Sequence, residues 1–519
     1  PTDFGYPEAF RDERRVKAGS NVLDCSPYRL VDDACTAAVM RVYGIQSPFP
    51  PSSYGIMREL RLHPDEVHVA WNQLFLAGTI EEFGVFGRLS FAQHLDPPAY
   101  VVSNVSFLVS RDPRLSGNAV TLVAPPAGAK PGILAFSPPN GVVGELRGFN
   151  SAGSATLGIG MQDSFNFDIF QTDLQTGKSV RLSVDPAYTD PVHMSPDSSL
   201  LLLLDGRVDD RTGQPDGYPA GESGRMYFAS AAPGVPPLID FAIGSAIANL
   251  YNQQYGQGTQ PDDHTNGRRF FLPYLIDLTS PRRPGNKDIH DGQRLNDGGD
   301  PRPGSGSISD PLWNAGADVA WSPDGTQVAY YEVLVAAPAC GETEPACPTS
   351  REPGGRFTRL MLARLDGRKP HSVLPKPDPV SDRVPWATAW VPGDPQPVRP
   401  SIPSGNYSLP GLAGHADVVL ELSELTHARV YVQYHNFSTD MYNFVDGIEE
   451  GVRATNATGA TTFTWHANLT LSGLHQGTRR TSEPSGFIVI SPPGLAQPPT
   501  ILGTLTTTLD GKVFLSPTR

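Results

Sequence analysis

The sequence has no apolar run long enough to cross a bilayer. Its longest all-aliphatic stretch, Leu200 to Leu204, is far short of the roughly 18 residues a spanning helix needs. Basic residues are outnumbered, with 40 Lys+Arg against 54 Asp+Glu and a net charge of −14. Nucleic acids and anionic membranes are held by basic patches, so neither is an expected partner. No Gly-rich phosphate loop, G-x-S-x-G nucleophile elbow or catalytic cysteine pattern is present, and no cofactor is expected. Cysteine is scarce: four in 519 residues. Four cysteines allow three pairings. The two local ones, Cys25 with Cys35 and Cys340 with Cys347, are favoured over free thiols or a zinc site. Spacings of ten and seven residues are not those of zinc fingers and no His lies inside either pair, so no metal site is expected.

What is abundant is turn chemistry. Gly and Pro number 52 each, which excludes a mainly helical chain. Apolar residues, at 39%, still suffice for a core. The opening PTDFGYPEAF carries no signal-peptide pattern and reads as mid-domain sequence. Five N-x-S/T sequons, at Asn104, Asn406, Asn436, Asn456 and Asn468, are glycosylation candidates. With the paired cysteines they point to a secreted, extracellular protein.

One phrase recurs: LAFSPPNG (134–141), VHMSPDSS (192–199), VAWSPDGT (319–326) and, more loosely, LRLHPDEV (60–67). Each is an apolar strand running into a Pro-Asp or Pro-Pro turn, where Pro presets φ and Asp or Asn closes the turn. A strand, a hairpin turn carrying Asp and Gly, and another strand follow at a distance, as in FDIFQTDLQTGKSVRLS (167–183) and RLMLARLDGRKPHSVL (359–374). The two phrases together spell a four-stranded antiparallel blade. Copies at irregular multiples of about 40–60 residues predict a β-propeller with long inserts. Polar inserts occupy 207–225, 252–268 and 281–310. After Trp390, a stretch with five prolines (391–405) reads as a linker, and the alternating apolar and polar strands beyond it predict a β-sandwich. The expected architecture is all-β, with a propeller over 1–392, a Pro-rich linker over 393–405 and a sandwich over 406–519.

The ordered set NVLDC (21–25), RELRLHPDEVHVAW (58–71), FGRLSF (86–91), YTDPVHMSPD (188–197), RRFFLPYLID (268–277), DPLWNAGADVAWSPDGT (310–326), EPGGRFTRLMLARL (352–365) and GTLTTTLDGKVF (503–514) resembles the fungal saponin hydrolase family. That family has a TolB-like propeller, six- or seven-bladed when complete, with a C-terminal β-domain. The resemblance implies a secreted glycosidase that removes a sugar, typically glucuronic acid, from a triterpenoid saponin. It also implies that relatives extend further upstream. The N-terminal part of the ring would then be missing from this chain, with an upstream fragment or a neighbouring subunit completing it. His193 stands where an acidic residue is expected.

Glycoside hydrolysis needs two carboxyl groups, and a glucuronide adds a carboxylate that calls for Arg. Three clusters offer these groups. The first is His63, Asp65 and His68 in HPDEVH, preceded by Arg58, Glu59 and Arg61. The second is Asp190 and His193, with Arg207, Asp209 and Asp210 opening the next insert; Arg268 and Arg269, at the end of a later polar insert, separately offer anion recognition. The third is Asp310 beside Trp313, a ring suited to a sugar face. Asp65, His68, Asp190, Asp209, Asp210 and Asp310 are the catalytic candidates. His63, His193, Arg207, Arg268, Arg269 and Trp313 are the substrate-binding ones. In each cluster, turn capping, loop solvation or packing between blades is the competing role. Asp197 and Asp324, in the Ser-Pro-Asp turns, read as turn caps. Two other functions remain open. One is a non-catalytic extracellular binding or structural protein, for instance a filament subunit. The other is a uronate lyase using His63 and His68.

Overall fold

The computed structural model describes residues 6–50, 55–75, 81–110, 122–123, 132–136, 143–160, 168–183, 189–205, 272–279, 292–302, 304–310, 313–315, 319–334, 352, 356, 358–372, 374–397, 404–423, 427–438, 441–474, 476–491, 500–509 and 511–515. Among these the chain is all-β, and no helix is long and apolar enough to cross a membrane.

Val, Trp, Phe and Leu build four antiparallel strands, Ile56–Leu62, His68–Phe75, Glu81–Ala92 and Ala99–Ser110, within a nine-stranded first sheet; Glu8–Ala9, Arg15–Ala18, Asn21–Asp24 and Arg41–Gln46 extend it, the last pairing in parallel with Ala99–Ser110. Three more four-stranded units follow. Glu145–Phe149, Ala155–Gly160, Asp168–Asp173 and Ser179–Arg181 form the first of these. Thr189–Met194, Leu200–Asp205, Leu272–Asp277 and Gln293–Arg294 form the second. In the third, Gln327–Leu334 pairs with Thr358–Arg364 on one side and with two short pieces, Trp313–Ala315 and Ala320–Trp321, on the other. Consecutive antiparallel sheets of this kind are propeller blades. Their first strands neighbour one another in order: Glu145–Phe149 touches both Ile56–Leu62 and Thr189–Met194, which in turn touches Ala320–Trp321.

Two features tie the blades together. The late strand Ala387–Ala389 returns to pair antiparallel with Ala99–Ser110. Trp390 then buries its ring among Phe49, Trp71 and Phe107 of the first sheet's core. Each such fully buried aromatic contributes about 1.5–3 kcal/mol of apolar transfer. The Cys25–Cys35 disulfide forms as expected and staples the loop beside the first sheet. Cys340 and Cys347 lie outside the described residues.

The C-terminal domain is one hydrogen-bonded sheet of ten strands that forks. The long strand Thr461–Gly473 pairs with Gly477–Thr481 along its second half and with Phe487–Ser491 along its first. Val418, Val432, Phe437, Phe463 and Trp465 pack on its inner face, and their core is continuous with Leu202, Val328 and Tyr330 of the blades.

Candidate functional site

HPDEVH is the turn between the strands Ile56–Leu62 and His68–Phe75. His63 N–H donates to His68 O, and Glu66 N–H to His63 O. Asp65 closes the turn by accepting from Val67 N–H (2.8 Å) and His68 N–H (3.0 Å). The three residues proposed from sequence therefore do meet, fully buried, but their polar atoms are engaged by protein. Asp65 Oδ2 faces His68 Nδ1 at 2.7 Å and accepts from Val380 N–H at 3.1 Å. Asp65 Oδ1 lies 2.9 Å from His63 Nδ1. His63 Nε2 lies 2.7 Å from Gly153 O of the next blade. Gly153 has φ +71° and a Cβ there would strike the His63 ring, so this approach requires glycine. His68 Nε2 lies 2.8 Å from Asp382 Oδ1, and the ring stacks on Phe86. Burial pushes the Asp65 carboxyl up, but hydrogen bonds from both histidines and from backbone amides outweigh it and hold the group well below its ordinary range. The arrangement rivets the turn, the next blade and the 380–382 segment together.

A second cluster is more open. Arg58, Glu59 and Arg61 sit on the strand Ile56–Leu62, where the pairing register shifts between Arg58 and Arg61 and Glu59 takes a φ of 54°. Such a bulge re-aims side chains. The first strand of the next blade, also bulged, supplies Glu145 and Arg147. Glu59 is ion-paired with Arg147 and accepts from Asn72 Nδ2 (3.0 Å) and Tyr6 OH (3.3 Å). Arg147 also reaches Glu145 at 3.1 Å. Arg58 lies 2.9 Å from Glu82 and 3.4 Å from both Glu59 and Glu145. The Glu59 and Glu145 oxygens are thus at most twice 3.4 Å apart. Burial raises the Glu59 carboxyl, but Arg147, Arg61 and Arg58 together bring it down to about 2, so it is a permanent anion near neutrality.

His193 is half-buried close to this cluster. Burial lowers the His193 imidazole, Glu8 raises it and Arg61 lowers it, and its Nδ1 has no hydrogen-bond partner among the described residues. Glu8 itself pairs with the buried Lys17 at 2.8 Å. Arg61 lies 3.9 Å over the Tyr6 ring. The backbone of Asp190 lies on the same strand as His193.

The third predicted cluster is elsewhere. Asp310 is buried and accepts from Gly304 N–H (3.1 Å) and Gly306 N–H (2.7 Å), closing a loop. Trp313 is buried under the Arg359 guanidinium, which pairs with the buried Glu332 at 2.6 Å. Asp197 and Asp324 cap their turns through Ser and Thr hydroxyls. Arg207, Asp209, Asp210, Arg268 and Arg269 lie outside the described residues. All five sequon asparagines are exposed.

Glu145, Arg147 and Glu82 were not among the sequence candidates, and Arg58, Glu59 and Arg61 were noted only as flanking residues. A signal was available. Glu59 with Arg61 in IMRELRL, and Glu145 with Arg147 in ELRGF, stand two residues apart, the spacing that puts a pair on one face of a regular strand.

No family model matches the chain, and no curated protein matches it. Among solved structures, it is similar to a TolB protein of Agrobacterium tumefaciens, at 12% identity and TM-score 0.31, over 71% of this chain and 79% of that one. It is also similar to the tricorn protease (8%, TM-score 0.26) and to prolyl oligopeptidase B of Galerina marginata (9%, TM-score 0.25). It spans 34% and 55% of those two longer chains, which cover 94% and 97% of it.

Proposed function

We propose that this is an extracellular glycoside hydrolase of saponin-hydrolase type that releases a glucuronic acid from a triterpenoid saponin. The site is where the first strands of two neighbouring blades bring Arg58, Glu59, Glu145 and Arg147 together. The observation that carries this reading is a pair of carboxylates gathered on one guanidinium, each 3.4 Å from Arg58, with a second guanidinium, Arg147, bridging them. Glu59, held ionised, is suited to attack the anomeric carbon or stabilise its positive charge. Arg58, whose side chain is 36% exposed, is suited to the substrate carboxylate. A uronate that takes over Arg58 releases Glu145 from it. Glu145 keeps its pair with Arg147 at 3.1 Å and, at 28% exposed against 8% for Glu59, is the carboxylate open to the leaving group. It becomes the acid that protonates the leaving oxygen. The Cys25–Cys35 disulfide and the exposed sequons are compatible with secretion.

The test is to incubate the protein with a soyasaponin-type glucuronide and follow aglycone and free sugar by mass spectrometry. Saturated glucuronic acid is expected. An unsaturated uronate would indicate a lyase, and no turnover across several glucuronides would overturn the reading. One observation favours a second reading, an extracellular binding or structural protein: the guanidinium and carboxylate groups of the cluster already satisfy one another.

A further inference from the structure

The outer face of the C-terminal domain carries a group of side chains that neither packing nor the proposed reaction uses. His415 and Asp417 are two residues apart on the strand Ala413–Ser423, so both project from one face. His435, on the antiparallel neighbour His427–Ser438, is the direct partner of His415. The register that makes them partners is set by a bulge between Ala413 and His415. Gly414 sits in that bulge at φ +60°, and a Cβ there would lie 2.2 Å from the carbonyl oxygens of both His435 and Asn436. The backbone approach that aligns the two imidazoles is therefore open only to glycine.

The two rings stack at 4.8 Å between centroids, 24° from parallel. Both turn an Nε2 toward one carboxylate. His435 Nε2 lies 3.2 Å from Asp417 Oδ2, and His415 Nε2 lies 4.0 Å from Asp417 Oδ1. One ligand atom from each residue falls within 4.8 Å of the other two. Donors at about 2.0–2.2 Å around a tetrahedral ion are roughly 3.4 Å apart, a spacing that small side-chain rotations reach here. The side chains are 51%, 56% and 39% exposed for His415, Asp417 and His435, so water can fill the remaining positions.

We propose that His415, Asp417 and His435 form a surface site for a borderline divalent transition-metal ion, of which Zn2+ is the probe. Two imidazoles and one carboxylate suit Zn2+ better than the all-oxygen ions Mg2+ or Ca2+. The site differs in kind from the buried group of His63, Asp65 and His68, whose ring nitrogens all face protein partners. With three protein ligands and an open side, it can take a further ligand from solvent or from another molecule.

The test is calorimetric titration of the tag-free full chain with Zn2+ after chelator treatment. One ion per chain is expected from these residues. His415→Ala/His435→Ala should weaken that binding by tenfold or more, and Asp417→Asn by about tenfold. The double variant's unfolding temperature in chelator should match that of the parent, because the face is exposed. No Zn2+ uptake by the parent at about 0.1 mM, or unchanged uptake by the double variant, would overturn the proposal. Should the double variant misfold, Cu2+ bound to the parent must still show two nitrogen ligands by electron paramagnetic resonance. Fewer than two would overturn it equally.

Discussion

His68 Nε2 and Asp382 Oδ1 meet at 2.8 Å across 314 residues of chain. The same carboxylate accepts from Arg88 (2.9 Å) and Asn104 (2.7 Å), so one side chain of the 380–382 segment holds three points of the first sheet. This contact lies next to the place where Ala387–Ala389 joins that sheet. It is a clasp between an early and a late part of the chain.

Removing the clasp should loosen the return strand. Asp382→Ala is expected to cost about 1–3 kcal/mol, the usual loss for charge-assisted hydrogen bonds, read from denaturant unfolding. Asp382 is pushed up by burial but held lower overall by His68 and Arg88, and Asp65 is likewise held low. A depressed folded-state pKa means stability that is present above the ordinary carboxylate range and lost as pH falls through it. The parent should therefore weaken steadily on acidification below about pH 4, and Asp382→Asn should show a shallower slope. An identical slope would remove Asp382 from the clasp.

The carboxylates near Arg58 separate by burial. Glu145→Gln, at a half-exposed position, should lower glucuronide turnover by about 100-fold while leaving the unfolding midpoint nearly unchanged. Glu59→Gln should abolish turnover and also cost about 3–5 kcal/mol, because it strands buried guanidinium charge. Full activity in Glu145→Gln would place the acid elsewhere.

Glu449 lies buried in the C-terminal domain, bonded to Trp465 Nε1 at 3.0 Å. Burial pushes its carboxyl up, only partly offset by Arg479 and Trp465, to about 7. A folded value above the ordinary 4.5 means that the native state keeps a proton the unfolded chain has released, so stability falls as pH rises between the two. Glu449→Gln should remove that fall and exceed the parent's stability above pH 7 by up to about 3 kcal/mol. Thermal unfolding at pH 5 and pH 8 reads it directly.

The Cys25–Cys35 staple closes a loop with a separation of ten residues. Replacing both cysteines by serine should cost about 2–3 kcal/mol and lower the unfolding temperature. A reductant should shift the parent in the same direction and leave the variant unmoved.

The sequence by itself determined the elements whose causes are local. The Pro-Asp turns, the Asp caps at 65, 197 and 324, the Asp173–Gly177 hairpin and the Cys25–Cys35 loop each depend on residues within ten positions of one another. Turn geometry and strand alternation act over that range, so the all-β class and the blade phrase are legible without coordinates. Tertiary structure decided which faces meet. Arg147 finds Glu59, Asp382 finds His68 and His435 finds His415 through blade neighbourhood, chain return and strand register. Period-two alternation states only that a residue points to one side of its strand. What stands opposite is fixed by packing and by bulges such as the one at Gly414, which no local pattern encodes.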